Sequence, residues 1–254
     1  MKNQTIAVIH RHGSVRSYKS DLIDRETIET IVLAGQRAAT SSNLQMYSVI
    51  VTQSLKEREI LQKYCGNQRH ITQAPVFLTW CADLSRLERI CSARGYPHQS
   101  GYVENFLLAA VDAAVAAQNA GLAAESLGLG FCYIGALRNH PREVIKLLKL
   151  PKLVFPLFGM TIGRPAAPIK VRPRLPLDAV LHWDHYDTTG EKDLWQEYDQ
   201  EMIQTGIYGN RQVQPGKPMP DSEYGWTEHS ARRASKVNRP HLREVLQEQG
   251  FELK

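Results

Sequence analysis

His12, Ser14 and Arg16 alternate along one short segment near the start of this sequence. In an extended chain, residues two apart point the same way. An imidazole, a hydroxyl and a guanidinium would then face one ligand. Arg172 and Arg174 alternate likewise far down the chain. Guanidinium forks and hydroxyls are directed donors, which suits them to a phosphate dianion. Either segment alone could be a solvated polar turn, whereas together they point to an anionic small molecule.

Other polar pieces lie between the two. Thr40-Ser41-Ser42-Asn43-Leu44-Gln45 clusters hydroxyls and amides directly after a helical stretch, able to donate to ligand oxygens or to cap a turn. Gly66-Asn67-Gln68-Arg69-His70 offers an amide side chain in a loop. Tyr133-Ile134-Gly135-Ala136 could leave backbone N–H groups open against a flat ligand, or could simply end a strand.

Several other chemistries lack their residues. No GxGxxG follows a strand, and neither a GxxxxGK phosphate loop nor a GxSxG elbow occurs. The histidines form no HExxH or HxH group and the cysteines no CxxC, so no metal site is expected. Cys65, Cys81, Cys91 and Cys132 read as reduced thiols in a cytoplasmic protein. The N-terminus has no long apolar stretch before a small-residue cleavage site, which argues against secretion.

The elements that must position these groups follow from composition and periodicity. The 254 residues, 43% hydrophobic and 22% charged, can bury a sizeable core. A net charge of +5 admits nucleic-acid binding as a reading from another class, but the basic residues form separate clusters rather than one run. No run of 18 apolar residues occurs, so no transmembrane helix is expected.

The periodicity predicts a helix over Leu22 to Ala38 with Asp24 as its N-cap, and another over Ser54 to Tyr64. Strands are expected at Tyr47–Thr52, Val76–Cys81, Phe131–Ile134 and Leu153–Ile162. The alanine-crowded stretch from Val103 to Leu127 predicts a long helix packed all round or at a subunit interface, ended by Gly128. Pro141 opens a further helix to about Leu148. Beyond Pro165, prolines break regular structure. Two helices, about Asp193 to Gln204 and Pro240 to Gln249, flank a polar loop from Gly206 to Tyr224. This gives a core over 1–165 and a core-poor extension over 166–254 that would wrap a body or a partner.

The order and spacing of these pieces resemble the oxygen-insensitive NADPH nitroreductase and NADPH–flavin oxidoreductase family over nearly the full length. The matching landmarks are His12-Gly13-Ser14-Val15-Arg16, Ala39-Thr40-Ser41-Ser42, Gly66 to His70, Ala123 to Gly130 with Tyr133 to Asn139, and Arg172-Pro173-Arg174-Leu175-Pro176. The resemblance implies an α+β fold, with a central, mostly antiparallel sheet flanked by helices. It also implies a homodimer with FMN at the interface and a C-terminal extension completing the phosphate site. Electrons would pass as hydride from NAD(P)H, with NADPH preferred over NADH, through tightly bound FMN. The acceptors would be nitroaromatics, quinones or related flat molecules, in a ping-pong cycle. Supply of reduced free flavin is the alternative.

By position, the resemblance gives His12, Ser14, Arg172 and Arg174 to the phosphate and Arg16 to the N1–C2=O edge of the flavin. Gly13 and Val15 complete the first segment. Thr40, Ser41, Ser42 and Gln68 fall to the ribityl chain and the ring's polar edge, and Ile134, Gly135 and Ala136 to the N5 side, with Tyr133 counted among the cofactor-binding residues. The family usually has Arg where this chain has Gly13, leaving a contact missing or taken by Arg11. Arg172-Pro173-Arg174 replaces the usual Lys-Pro-Arg. Arg211 is the nearest counterpart of the arginine that meets the NADPH 2′-phosphate, and Arg239 matches a position at the site's mouth.

Overall fold

The computed structural model describes residues 3–209, 211–214 and 216–254; Met1, Lys2, Asn210 and Pro215, which fall in the N-terminal and polar-loop readings, lie outside them. In chain order the elements are α1 Gln4–His10, α2 Arg25–Gln36, β1 Tyr47–Thr52, α3 Leu55–Tyr64, α4 His70–Gln73, β2 Val76–Asp83 and α5 Ser85–Arg94. There follow α6 Val103–Ser126, β3 Gly130–Ile134, α7 Pro141–Leu147, β4 Val154–Gly163, α8 Glu191–Gln204, α9 Trp226–Ala234 and α10 Leu242–Glu248. The chain divides into two compact units, residues 1–170 with 239–254, and residues 171–238.

The larger unit is built on a four-stranded sheet in the order β1-β2-β4-β3, with every neighbouring pair antiparallel. This is the α+β, antiparallel-sheet architecture expected. Side chains alternate across β2. Val76, Leu78, Trp80 and Ala82 enter the larger core with α2 and α6, while Phe77 enters a second core with α3 and α7. On β4 the parity switches. Phe155 and Leu157 share the larger core with Met160 and Ile162 because the pairing skips Leu157 opposite Trp80 and Cys81. The extra residue is a bulge, and the Leu157 carbonyl accepts instead from the Arg138 guanidinium.

α6 is the central helix. Ala109, Ala113, Ala116, Ala117, Ala120 and Ala124 are fully buried against α2 and the sheet. Gly121 belongs to the same contact, since a Cβ there would meet the Phe131 ring at 2.6 Å. By length and a mean hydropathy of 1.5, α6 has the makings of a membrane span. Its alanine face is nevertheless taken up in the core. The other side bears exposed Leu107, Val111 and Val115.

Asp24 caps α2 as expected, accepting from Thr27 N at 2.7 Å, although the helix starts at Arg25 rather than Leu22. α1, α5 and α9 are elements that periodicity did not announce. Within them α1 buries no residue, α5 only Ser85 and α9 only Arg232, so none carries an apolar stripe to read. The last residues return to the larger core through Val245, Leu246 and Phe251, and Lys254 N donates to Gly101 O at 2.9 Å.

The smaller unit packs α8 against α9. Asp199 accepts from Thr227 N at 2.8 Å, and the Tyr198 and Trp226 rings meet edge to face at 5.5 Å. Buried Arg232 donates to Lys217 O at 2.8 Å and to Val213 O at 3.2 Å and stacks over Tyr224, which ties both Lys217 and Val213 to α9.

Candidate functional site

The segment from His12 to Tyr18 runs beside the start of β3, with Val15 N donating to Phe131 O at 2.9 Å. Its alternation is real. Gly13 and Val15 turn inward and are buried, while Ser14 and Arg16 face outward and His12 is half-buried. Tyr18 pins the far end, its hydroxyl bridging Val15 O at 2.7 Å and Thr161 Oγ1 at 2.8 Å. The identity of Gly13 has a steric reason, because a Cβ there would lie 2.6 Å from Ile169 Cγ2 and 2.7 Å from Lys170 O. No side chain fits at this position without moving the 169–170 backbone.

Two further groups lie close to this segment. One is the Cys132 thiol on β3, which burial pushes upward while the Arg16 charge and the Ser14 side chain pull it down. His70, at the start of α4, is held below the ordinary histidine range by burial and then by the Arg16 charge. Its Nε2 is buried without a hydrogen-bond partner. An orphaned polar atom of this kind is costly unless something pairs with it, which makes His70 a candidate for the site. The sequence reading quoted His70 in its loop without assigning it a role. The signal that exposes it is burial, which sequence alone does not give.

The loop that carries Gln68 and His70 is braced from below. Arg58 of α3 is buried and donates to Thr72 O at 2.8 Å and to Ala74 O. Gln68 spends its amide N–H on Cys65 O at 2.9 Å, which leaves its carbonyl oxygen for another donor.

At the end of β3, Cys132 and Ile134 face the second core. Tyr133 faces the opposite way, its hydroxyl 3.3 Å from Gln118 of α6 and its phenol pushed upward by burial and by Glu125. Its side chain therefore points away from the face that bears Cys132, and only its backbone can share that face's role. Gly135 is half-buried, and a Cβ there would meet only the Arg138 guanidinium, at 3.5 Å. Arg239 donates to Asn139 Oδ1 at 2.9 Å, so this arginine stands at the same end of β3.

The loop from Thr40 to Gln45 lies elsewhere on the unit. Asp112, buried in the middle of α6, accepts from Ser41 N at 2.9 Å and from Met46 N at 3.1 Å. Ser42, Asn43 and Gln45 all adopt positive φ, a strained run that this carboxylate holds in place. His12, by contrast, contacts Glu125 near the end of α6 at 2.7 Å. At a rise of 1.5 Å per residue, the two anchor points stand roughly 20 Å apart along the helix. The single chain does not bring Ser41 and Ser42 to the His12 end. Asp112 was not singled out in the sequence, where it sits unmarked inside an apolar helix.

Arg172, half-buried, and Arg174, exposed, lie in the smaller unit, where Tyr198 donates to Pro173 O at 3.2 Å and so holds the turn between them. Arg211 is exposed, its N–H donating to Tyr208 O at 2.9 Å. Among the described residues, no group of three or more His, Cys, Asp and Glu is placed to hold a metal ion.

A four-stranded antiparallel sheet between helices, with a cationic and hydroxyl-bearing segment laid against β3, defines an α+β class. Residues 9–164 match the model of the Nitroreductase family and residues 172–254 that of the Nitroreductase family, C-terminal domain. The chain belongs to the nitroreductase family. It is 38% identical over 247 residues to an oxygen-insensitive NADPH nitroreductase of Salmonella typhimurium, covering 97% of this chain and 98% of that one. It is 37% identical over 254 residues to an FMN reductase [NAD(P)H] of Bacillus subtilis, covering 99% of each. Among solved structures, the NADPH:FMN oxidoreductase from Vibrio harveyi complexed with NAD+ superposes with a TM-score of 0.86 at 34% identity, covering 99% of this chain and 100% of that one.

Proposed function

We propose that this chain is an FMN-dependent oxidoreductase of the cytoplasm. It takes electrons from NADPH in preference to NADH and delivers them to nitroaromatics, quinones or free flavin. The observation that carries the reading is the meeting of Ser14, Arg16, Cys132 and His70 at the edge of β3, with the His70 Nε2 buried and unpartnered. The donor set fits the group: a hydroxyl and a guanidinium for anionic oxygens, and a neutral imidazole and an amide carbonyl for a polar ring edge. Bound there, FMN would supply a two-electron carrier that accepts hydride from a nicotinamide and yields it to a flat acceptor in alternating half-reactions.

The residues hold and tune that group. Arg16 keeps a fixed positive charge at the ring's pyrimidine edge, where it would favour the reduced, negatively charged form. Gly135 and Ala136 leave backbone uncovered on the other edge, and Ile134 supports them from the strand. His12 and Ser14 face the phosphate, and the reading assigns Arg172 and Arg174 to the same phosphate on the resemblance alone. Arg211 and Arg239 are assigned to NADPH or the acceptor on the same basis. A homodimer accounts for the separation along α6, because the Thr40-Ser41-Ser42 loop can then serve a site completed by two copies. The 1–165 core and the 166–254 extension, the latter wrapping the partner, belong to this reading.

Stopped-flow mixing of the flavin-loaded protein with NADPH and with NADH tests the donor, and turnover with nitrofurazone, a quinone and free FMN ranks the acceptors. Faster flavin bleaching by NADPH is expected. Bleaching by neither nucleotide would contradict the reading.

A further inference from the structure

Glu125 is a carboxylate in an adverse place. It lies in the last turn of α6, at the negative end of the helix dipole, and that turn holds no basic residue. Its side chain is only 8% exposed. Among the described residues, its one hydrogen-bond or ionic partner is the His12 Nδ1 at 2.7 Å. The His12 ring rests on Phe131 with centroids 5.1 Å apart, which leaves Nε2 as the ring nitrogen free to meet a ligand.

We infer that Glu125 is a positioning residue that makes His12 a proton-loaded phosphate clamp, so that FMN binds together with one proton. This rests on the assignment of His12 to the FMN phosphate. An ionised carboxylate only accepts hydrogen bonds, so Nδ1 must carry the proton of the His12–Glu125 contact. In the neutral imidazole Nε2 is then a bare acceptor, which repels a phosphate oxygen. For Nε2 to donate, the pair must hold one more proton. The count is the same whether imidazolium faces carboxylate or neutral imidazole faces carboxylic acid. Solvent supplies that proton as the dianion arrives.

Among the described residues, the titratable group coupled to the pair from another element is Tyr133 of β3, and Arg11 is the chain neighbour of His12. Burial and then the Glu125 charge push the Tyr133 phenol upward, so it stays neutral across the useful range. FMN is already a dianion above about pH 7. A fall in affinity between pH 7 and 9 would therefore report the protein's proton rather than the ligand's.

The test is calorimetric titration of apoprotein with FMN, and with riboflavin, which lacks the phosphate, at pH 8 in two buffers of different ionisation enthalpy. Uptake of about one proton per FMN and none per riboflavin is expected. Glu125→Gln should lose the uptake and bind FMN about tenfold more weakly, with riboflavin unchanged. FMN binding by the wild type without proton uptake overturns the inference and leaves the flavin reading intact. Equal weakening of FMN and riboflavin by Glu125→Gln also overturns it, since that is the mark of a merely structural role. Failure of the wild type to bind FMN removes the inference and the flavin reading together.

Discussion

At the scale of single residues, function rests on where charge and unpaired polar atoms are placed. Arg16 acts on both Cys132 and His70, so its guanidinium sits at the centre of the cluster. Losing a charge-assisted hydrogen bond costs about 1.5–3 kcal/mol. Arg16→Ala should therefore weaken FMN retention ten- to a hundredfold, or lower the potential of whatever flavin is kept. Equilibrium dialysis and a dye-equilibrated redox titration read the two effects.

His70 makes a second prediction through pH. Burial and Arg16 depress its pKa in the fold, so the unfolded chain binds a proton that the native one refuses. That stability is present above the unfolded pKa of about 6.5 and is lost as pH falls through the folded value. The melting temperature of the apoprotein should drop between pH 7 and 5, and His70→Gln should flatten that drop. An identical slope in the variant would show that other groups carry it.

At the scale of elements, the site depends on supports whose importance burial reveals. Asp112 fastens the strained 41–46 loop to α6 by two backbone N–H groups. Asp112→Ala would leave both without a partner, at about 1–3 kcal/mol for each if it stays buried. A lower urea midpoint is expected, together with weaker FMN binding by the assembled protein. An unchanged midpoint would mean that water replaces the carboxylate.

The same contrast explains what the sequence made legible. Strands β1 to β4, α2 with its Asp24 cap and the alanine-rich α6 could be read because their side chains are sorted by burial. The alternation of His12, Ser14 and Arg16 could be read for the same reason, since Gly13 and Val15 are the buried partners in that pattern. α1, α5 and α9 could not, because surface helices keep no apolar period. The roles of Asp112, Arg58, Glu125 and His70 are set by partners distant in sequence, and no local pattern encodes them. The tight fit at Gly13 likewise depends on Ile169 and Lys170, more than 150 residues away.

At the scale of the whole molecule, α6 carries the argument from fold to assembly. One of its faces is spent on the core, while Leu107, Val111 and Val115 form an apolar stripe that is 53%, 50% and 40% exposed. The spacing of four residues puts them on one line. A homodimer would cover that stripe and bring the Asp112-held loop to a second copy's site. Light scattering should give twice the 28.7 kDa chain mass. Val111→Glu should shift the protein toward monomer and lower its flavin content in parallel. A monomeric variant with full flavin would separate assembly from cofactor binding and refute the shared site.

The central claim, that the edge of β3 with Arg16 and His70 holds a flavin reducible by nicotinamide, is met most directly by an absorption spectrum. The purified protein, alone or after mixing with FMN and gel filtration, should be yellow, with about one flavin per chain. Anaerobic NADPH should bleach the flavin band, and nitrofurazone should restore it. A colourless protein that retains no FMN after mixing, or a bound flavin that NADPH and NADH both leave oxidised, would contradict the account.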